Sequence, residues 1–548
     1  MSQAANRLYR WFHGALRIWH HAEYRLPLTT LEARTGAQPR RADFVLETLL
    51  DLGVVGEGDV RGPERVSYEE ILRVHDAAYV ERLTTAAALA EVLSVDAWDV
   101  PVDEVMATFR RACGGTLAAA KEALARKGPT LNLLGGFHHA GASKGGGFCA
   151  INDIAIAVAV LRAEGFSGSV AVLDLDAHPP DGLAACLAGQ AWIGSVSGAD
   201  WGPPAGVDET VLAAGSGDVL YLSTLDVLLA RMPLASLTFV ISGGDVLASD
   251  PLGNLGLTLA GVRERDARVA RALSGRPSVW LPGGGYRPDS WRVLVGTALV
   301  LAGRAGVEIA PDYDPLAHQF GRVYRRRATP PENFTLDTAD IEESLGMARR
   351  DPRLLGFYTT EAIELALTEY GLLGPVRRLG YGPFRVDVDV VDAGDRMRLW
   401  GQAEGAEHLL VEAVYERRIT AGKPVLFVHW MTLRHPLGAF HAGRPQLPGQ
   451  DVPGLGMARE AGEMLARMAT RLGLAGVVFV PAWYHVAWQA RHRMQFVEPA
   501  AQAHFSALAE ATKGMALLDA SRAIAAGKVS VNGTVARWEP AEMVEWVG

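Results

Sequence analysis

Residues 173–182 read Leu-Asp-Leu-Asp-Ala-His-Pro-Pro-Asp-Gly. The apolar run at 170–173 enters this stretch as a buried strand would. It then gives way to three acids and a histidine: Asp174, Asp176, His178 and Asp181. Asp176 and His178 alternate, as two side chains on one side of a strand end do. Such a pair can share a divalent metal ion. A capped strand-to-helix turn with solvated acids has the same pattern, so the stretch alone does not choose. The choice depends on whether the rest of the chain supplies a third ligand, a base and an oxyanion donor.

Working outward, three more apolar runs end in chemically useful residues. Residues 130–134 lead to Gly135-Gly136-Phe137-His138-His139-Ala140, then to a glycine-rich loop through Gly147, Phe148 and Cys149. That loop lacks the GxxxxGK[ST] spacing of a phosphate cradle. Residues 237–242 lead to Gly243-Gly244-Asp245, and residues 278–281 to Pro282-Gly283-Gly284-Gly285-Tyr286. Helical patterns at 152–163, 261–273 and 291–302 lie between or after them. Further strands are expected at 191–197 and 219–223. Strands alternating with helices predict an α/β fold, an open and mainly parallel sheet with helices on both faces. Ligands bind beyond the carboxyl ends of such strands. His138, His139, Asp176, His178, Asp245 and Tyr286 all follow strand-like runs, so the fold would gather them along one edge.

Two carboxylates and one imidazole leave an open position on a divalent ion, the arrangement of a catalytic zinc site. A nearby histidine can take a proton from water and return it to a leaving amine. A tyrosine hydroxyl can hydrogen-bond a developing oxyanion. Asp174 and Asp181 are candidates to orient the two histidines from behind. The reaction class is metal-assisted amide hydrolysis.

The motifs GGFHHA, GFCAIND, DLDAHPPDG, GGDVLASDPLG and LPGGGY stand in this order and resemble the histone deacetylase superfamily, a likeness that covers residues 18–305. Its acetoin-utilisation and acetylpolyamine branches are included in the likeness. The resemblance implies the arginase-deacetylase fold. It implies Asp176, His178 and Asp245 as metal ligands, with zinc the expected ion and iron(II) an alternative that such ligands discriminate poorly. It implies His139 as general base and acid, His138 as its electrostatic neighbour, Asp174 and Asp181 as their partners, and Tyr286 as the carbonyl-polarising hydroxyl. Gly147 and Phe148 match a substrate-tunnel wall, with Trp201 a weakly aligned opposite wall. Asp99 matches a rim acid and Arg41 an arginine near the acetate exit. Asp174, Asp176, His178 and Ser197 resemble residues around a structural potassium ion. One departure is plain: Pro179-Pro180 stand where the family has His or Gln and then Gly. Proline fixes φ near −65° and removes backbone donors, so the turn there must differ or the glycine must be dispensable.

A chain of 548 residues is too long for one ordinary core. We expect a catalytic domain at 1–310, a linker at 311–335 containing a basic run and Pro330-Pro331, and a C-terminal α+β domain at 336–548. In that last part, helical patterns at 338–380 precede strand-like runs near 384–391, 396–400, 408–417 and 424–433. A Pro/Gly-rich loop, an amphipathic helix at 457–472 and an apolar strand at 476–480 follow. This order loosely resembles acetyl-CoA-dependent N-acetyltransferases, but Asp451 stands where their phosphate-binding turn has Arg or Gln. The net charge of −9 argues against broad nucleic-acid or membrane-surface binding. Three cysteines in so long a chain suit a reducing cytoplasm. No apolar run approaches the ~20 residues of a membrane span. The expected function is zinc-dependent deacetylation of an acetylated lysine in a protein or peptide, or of an acetylated polyamine. The alternatives are a bifunctional deacylase-acetyltransferase and a binding protein whose Pro179-Pro180 turn has spoiled the site.

Overall fold

The structure is a computed structural model describing residues 16–26, 28, 35–97, 100–198, 202–328, 353–440, 445–531 and 533–547. The chain divides into two compact units, Met1–Pro315 and Leu316–Gly548.

The first unit is built on an eight-stranded sheet: β1 (Arg17–Trp19), β2 (Val60–Arg61), β3 (Pro129–Asn132), β4 (Val170–Asp174), β5 (Trp192–Ser197), β6 (Val207–Val211), β7 (Leu237–Ile241) and β8 (Ser278–Leu281). The order is β2-β1-β3-β8-β7-β4-β5-β6, and every pairing is parallel. The central strands are buried along their whole length: VAVLD in β4, LTFVI in β7 and SVWL in β8. Near-continuous apolar strands are what a parallel sheet covered on both faces requires. The helices Val102–Arg126, Asp153–Ala163, Leu259–Ala272 and Trp291–Leu301 provide the cover. The first starts after Pro101 with Asp103 and Glu104 in its opening turn, and ends at left-handed Lys127. Acids at the amino end suit the helix dipole. Asn152 caps the second by accepting from the Ala155 amide at 3.0 Å.

Two expectations about this unit are corrected. Residues 219–223 are not a strand but part of the helix Asp218–Arg231. Its buried residues, Tyr221, Leu225 and Leu228, recur at spacings of four and three, the helical period. The neighbouring edge strand is β6, whose mixed sequence VDETV carried no apolar run. The second concerns the residues before 35, where no strand was expected: β1 lies between β2 and β3, with Ile18 fully buried.

The second unit begins inside the expected linker. Residues 315–328 form a helix, Pro315–Ala328, because Leu316 and Phe320, four apart, are both buried. A mixed sheet follows, made of β9 (Phe384–Val391), β10 (Gly394–Ala403), β11 (Ala406–Thr420), β12 (Lys423–Leu433), β13 (Gly476–Phe479), β14 (Gln495–Phe496) and β17 (Met543–Trp546), in the order β14-β17-β13-β12-β11-β10-β9. The run β9 to β12 is antiparallel, whereas β12 and β13 are parallel across the helix Ala458–Arg471. One core joins sheet to helix through Leu399, Ala413, Leu426, Leu465, Ala469 and Val477. A second gathers Tyr484, Phe496, Phe505 and Ile524. A two-stranded hairpin, β15 (Val529–Val531) and β16 (Thr534–Ala536), completes the unit.

Candidate active site

Strands β3, β8, β7 and β4 are consecutive neighbours at the centre of the first sheet. The residues just beyond their carboxyl ends are Gly135–Ala140, Pro282–Tyr286, Ser242–Asp245 and Leu175–Asp181. Residues more than a hundred positions apart therefore meet there.

Asp176, His178 and Asp245 each offer a ligand atom within 4.8 Å of the others, and this is the one such group of three among the described residues. Both carboxylates are buried, Asp176 at 1% exposure and Asp245 at 0%. His178 Nδ1 faces them, 3.2 Å from Asp176 Oδ1 and 3.0 Å from Asp245 Oδ2. Its Nε2 is 3.2 Å from the Leu252 carbonyl oxygen. Nδ1 is therefore the nitrogen that could serve as a ligand atom, with the far nitrogen fixed by a carbonyl as in metal-binding histidines. Backbone amides orient the acids: Gly284 N donates to Asp176 Oδ2 at 2.6 Å and Ala177 N to Asp245 Oδ1 at 3.0 Å.

The electrostatics call for a cation between the acids. Burial and the neighbouring Asp176 charge raise Asp245. Burial alone would lower His178, but hydrogen bonds and charge from Asp176 and Asp245 outweigh it and push it up to about 11. A place that holds a proton so firmly between two buried carboxylates suits a divalent ion, which would displace that proton. The shape agrees. A Cβ at Gly284 would stand 2.5 Å from Asp245 Oδ2 and 2.9 Å from Asp176 Oδ2, so only glycine leaves this space open.

The two histidines after β3 lie alongside, their ring centroids 4.1 Å apart. His138 Nδ1 pairs with Asp174 Oδ2 at 2.7 Å, and His139 Nδ1 with Asp181 Oδ1 at 2.7 Å. The two dyads differ in their surroundings. Asp174 is fully buried, whereas the Asp181 side chain is 53% exposed. Burial lowers His138, yet the adjoining Asp174 and Asp176 charges outweigh it and set it at about 9. Burial and the charge of His138 together lower His139. Their surroundings thus push the two imidazoles in opposite directions, the separation an acid/base site needs.

The Pro179-Pro180 departure leaves this geometry intact. Pro180 sits at φ −79° and ψ 60°, and the Asp181 amide donates to the Pro179 carbonyl at 2.9 Å. This is an inverse γ-turn, which proline can occupy. The close approach belongs to the next residue: a Cβ at Gly182 would lie 2.4 Å from the His139 carbonyl. The helix Asp181–Cys186 then starts with Asp181 facing His139.

Tyr286 lines the same cavity as His138, His139, Asp176 and His178. Burial, then the charges of Asp245 and Asp176, hold its phenol well above the usual range. Its ring is 5.5 Å from that of Phe148, which adopts φ 64°. Gly147 packs on His139, where a Cβ would be 2.3 Å from the ring. Arg41 reaches the same wall from the helix Arg41–Asp51 and donates to the Gly283 and Gly284 carbonyls at 2.8 and 2.9 Å. Ser197 donates to Glu209 Oε1 at 2.6 Å. Asp99 and Trp201 lie outside the described residues.

Three supporting residues were not legible as such. Asp153 accepts from the Gly136 and Phe137 amides at 3.0 and 2.8 Å and so shapes the turn before His138. Asp250 accepts from the Tyr286 amide at 2.8 Å. His75 is buried, with Nδ1 2.9 Å from the Gly141 carbonyl and Nε2 accepting from the Asn152 amide at 3.0 Å. Asp153 and Asp250 stand within GFCAIND and GGDVLASDPLG, but the backbone that each holds, like that held by His75, belongs to another segment of the chain.

A parallel α/β sheet carrying an Asp-His-Asp ligand set beside two Asp-paired histidines defines the class by its parts. Residues 36–198 match the family model of the histone deacetylase domain. Histone deacetylase 2 of Arabidopsis thaliana is 30% identical over 292 residues, covering 49% of this chain and 74% of that protein. A probable deacetylase of Archaeoglobus fulgidus is 27% identical over 290 residues, covering 48% and 79%. The crystal structure of a histone deacetylase homologue from Aquifex aeolicus is 21% identical with a TM-score of 0.45, covering 54% of this chain and 85% of that one. The chain belongs to the histone deacetylase superfamily.

Proposed function

We propose that the first unit is a metal-dependent deacetylase that hydrolyses the amide of an acetylated lysine side chain or of a related acyl-amine such as an acetylated polyamine. The observation that carries this reading is the meeting of three kinds of group in one place: the ligand trio, the two Asp-paired histidines and Tyr286. Asp176, His178 and Asp245 would hold the ion, with zinc or iron(II) suited to their oxygen and nitrogen donors. Once bound, it supplies Lewis-acid polarisation of the carbonyl and a more acidic water. His139, kept neutral and oriented by Asp181, takes the water's proton and returns it to the departing amine. His138, kept protonated beside Asp174, adds positive charge where negative charge develops. Tyr286 donates its hydroxyl to the developing oxyanion. Gly147 and Phe148 flank the acyl chain, and Arg41 stands on the side from which acetate leaves.

The test is a panel of acyl-lysine peptides and acetylated polyamines incubated with the metal-loaded full chain, with acetate release measured. Release that disappears in Asp245→Ala is expected. No release from any member of the panel, with metal bound, would refute the reading.

A second reading concerns the second unit. Pairing of β12 with β13 covers Leu426↔Val477 to Val428↔Phe479, while β12 continues to Leu433. The turn 452–457 then leads into the helix Ala458–Arg471, an arrangement that favours an acetyl-CoA-binding fold of N-acetyltransferase type. Asp451, whose carboxylate would repel an anionic cofactor, is paired with Arg434 at 2.6 Å. Calorimetry of acetyl-CoA against the full chain tests this, and no heat of binding would dismiss it.

A further inference from the structure

Arg265 lies in the helix Leu259–Ala272, far from every motif that marks the site, and its side chain is fully buried. A guanidinium in a core costs much more than an apolar residue unless its donors are all used well. Here Nη1 is directed at the backbone behind the ligands and Nε at Asp266, while Nη2 has no hydrogen-bond partner among the described residues. Nη1 donates to the Leu175 carbonyl at 3.2 Å and to the Gly243 carbonyl at 2.9 Å. Nε donates to Asp266 Oδ1 at 2.8 Å, and Thr297 donates to the other oxygen of Asp266 at 2.5 Å.

The two carbonyls are significant for where they stand. Leu175 separates Asp174 from Asp176, and Gly243 precedes Asp245 by two residues. The β4/β7 ladder ends at Asp174 and Ile241, so both carbonyls lie just past regular sheet bonding. Beyond that point the two strand ends carry the ligands, and one guanidinium spans them. The Leu175 amide, bonded to the Ile241 carbonyl at 3.0 Å, closes the same segment from the other side.

We infer that Arg265 is a positioning residue for the metal site: it clamps the backbone of both ligand-bearing strand ends and so fixes Asp176 and Asp245 relative to each other. The inference rests on reading Asp176, His178 and Asp245 as metal ligands. It assigns Arg265 no contact with substrate or reacting atoms.

The test is metal affinity, read by competition with a chromophoric chelator, together with the visible spectrum of the cobalt(II)-loaded protein. Arg265→Met alone leaves Asp266 buried without its cation and is liable to unfold. Arg265→Met with Asp266→Leu removes both charges, and Thr297 retains its bond to the Val293 carbonyl at 3.2 Å. In this double variant we expect metal affinity about 10- to 100-fold weaker, the range for residues that orient ligands from behind, and an altered cobalt spectrum. We also expect a fall in kcat with KM little changed. Wild-type affinity with an unchanged spectrum in the folded double variant would overturn the inference. Should that variant not fold, Arg265→Lys decides. Lysine offers one donor nitrogen where arginine uses Nη1 for the carbonyls and Nε for Asp266, so weakened affinity supports the clamp and wild-type affinity overturns it. A wild-type chain that binds no divalent ion would remove the ligand reading itself, a result distinct from equal binding by wild type and variant.

Discussion

Gly284→Ala adds one methyl group at the floor of the proposed metal site. Its Cβ would stand 2.5 Å from Asp245 Oδ2 and 2.9 Å from Asp176 Oδ2, whereas ordinary contact begins at 3.4 Å. The Asp245 carboxylate must therefore retreat by about 0.9 Å, against a tolerance of about 0.2 Å in ligand distances. Neither carboxylate can give way freely, since Asp245 accepts from the Ala177 amide and Asp176 from the Gly284 amide. Gly284 is not in the left-handed region, so alanine suits its backbone and the fold should survive. Metal affinity should fall by about 10- to 100-fold, equivalent to about 1.4–2.7 kcal/mol. Chelator competition on purified protein measures it directly. The thermal shift on adding metal should shrink in parallel, because a ligand stabilises only as far as its concentration exceeds its Kd. Wild-type affinity and a wild-type thermal shift would refute the placement of the ion between these carboxylates.

Other perturbations separate the remaining roles. Tyr286→Phe keeps the ring beside Phe148 and removes only the hydroxyl, so kcat should fall by about 10²- to 10³-fold with KM nearly constant; a change below tenfold in steady-state kinetics would remove Tyr286 from that role. Pro180→Gly frees a turn whose φ of −79° glycine also adopts. It should cost about 1 kcal/mol in a denaturant melt by loosening the unfolded chain, and a kcat lowered as far as in His139→Ala would show instead that the proline sets the catalytic geometry. Glu23 makes stability depend on pH. Burial would raise its carboxyl, but hydrogen bonds from Arg65 and Arg111 outweigh it and hold it at about 2, against 4.5 for the ordinary group. Its stabilising contribution is therefore complete above pH 4.5 and is lost as pH falls from there through 2. Glu23→Gln should lower the thermal midpoint at pH 7 and leave it close to wild type near pH 2, and an equal loss at both pH values would contradict the assignment.

The parts of this chain that could be read from sequence are those where one residue reports its own environment. VAVLD, LTFVI and SVWL are apolar throughout because both faces of their strands are covered, and the polar residues that follow them mark the edge where the site lies. The parts that escaped are set by distant partners. Helix Asp218–Arg231 begins Asp-Val-Leu-Tyr-Leu, whose apolar cluster imitates a strand until the later Leu225 and Leu228 are counted. β6 shows no apolar pattern because it is an edge strand with partly exposed residues. The segment 315–328 looked like a linker for its arginines, yet Leu316 and Phe320 give it a buried side. The family glycine replaced by Pro180 was the sharpest conflict. It resolves because the turn runs at negative φ and the tight contact falls on Gly182 instead. Arg265 acts on backbone 90 residues away, through carbonyls that every residue possesses. No side-chain pattern announces such contacts.

The most direct test of the account is a metal titration of the stripped full chain with acetate release from an acetyl-lysine peptide as the readout. No release is expected from the metal-free protein. Release should rise in proportion to added zinc until the ion is stoichiometric with the chain, and be lost in Asp245→Ala. Release that persists after complete metal removal, or none at all with the ion bound stoichiometrically across the substrate panel, would contradict it.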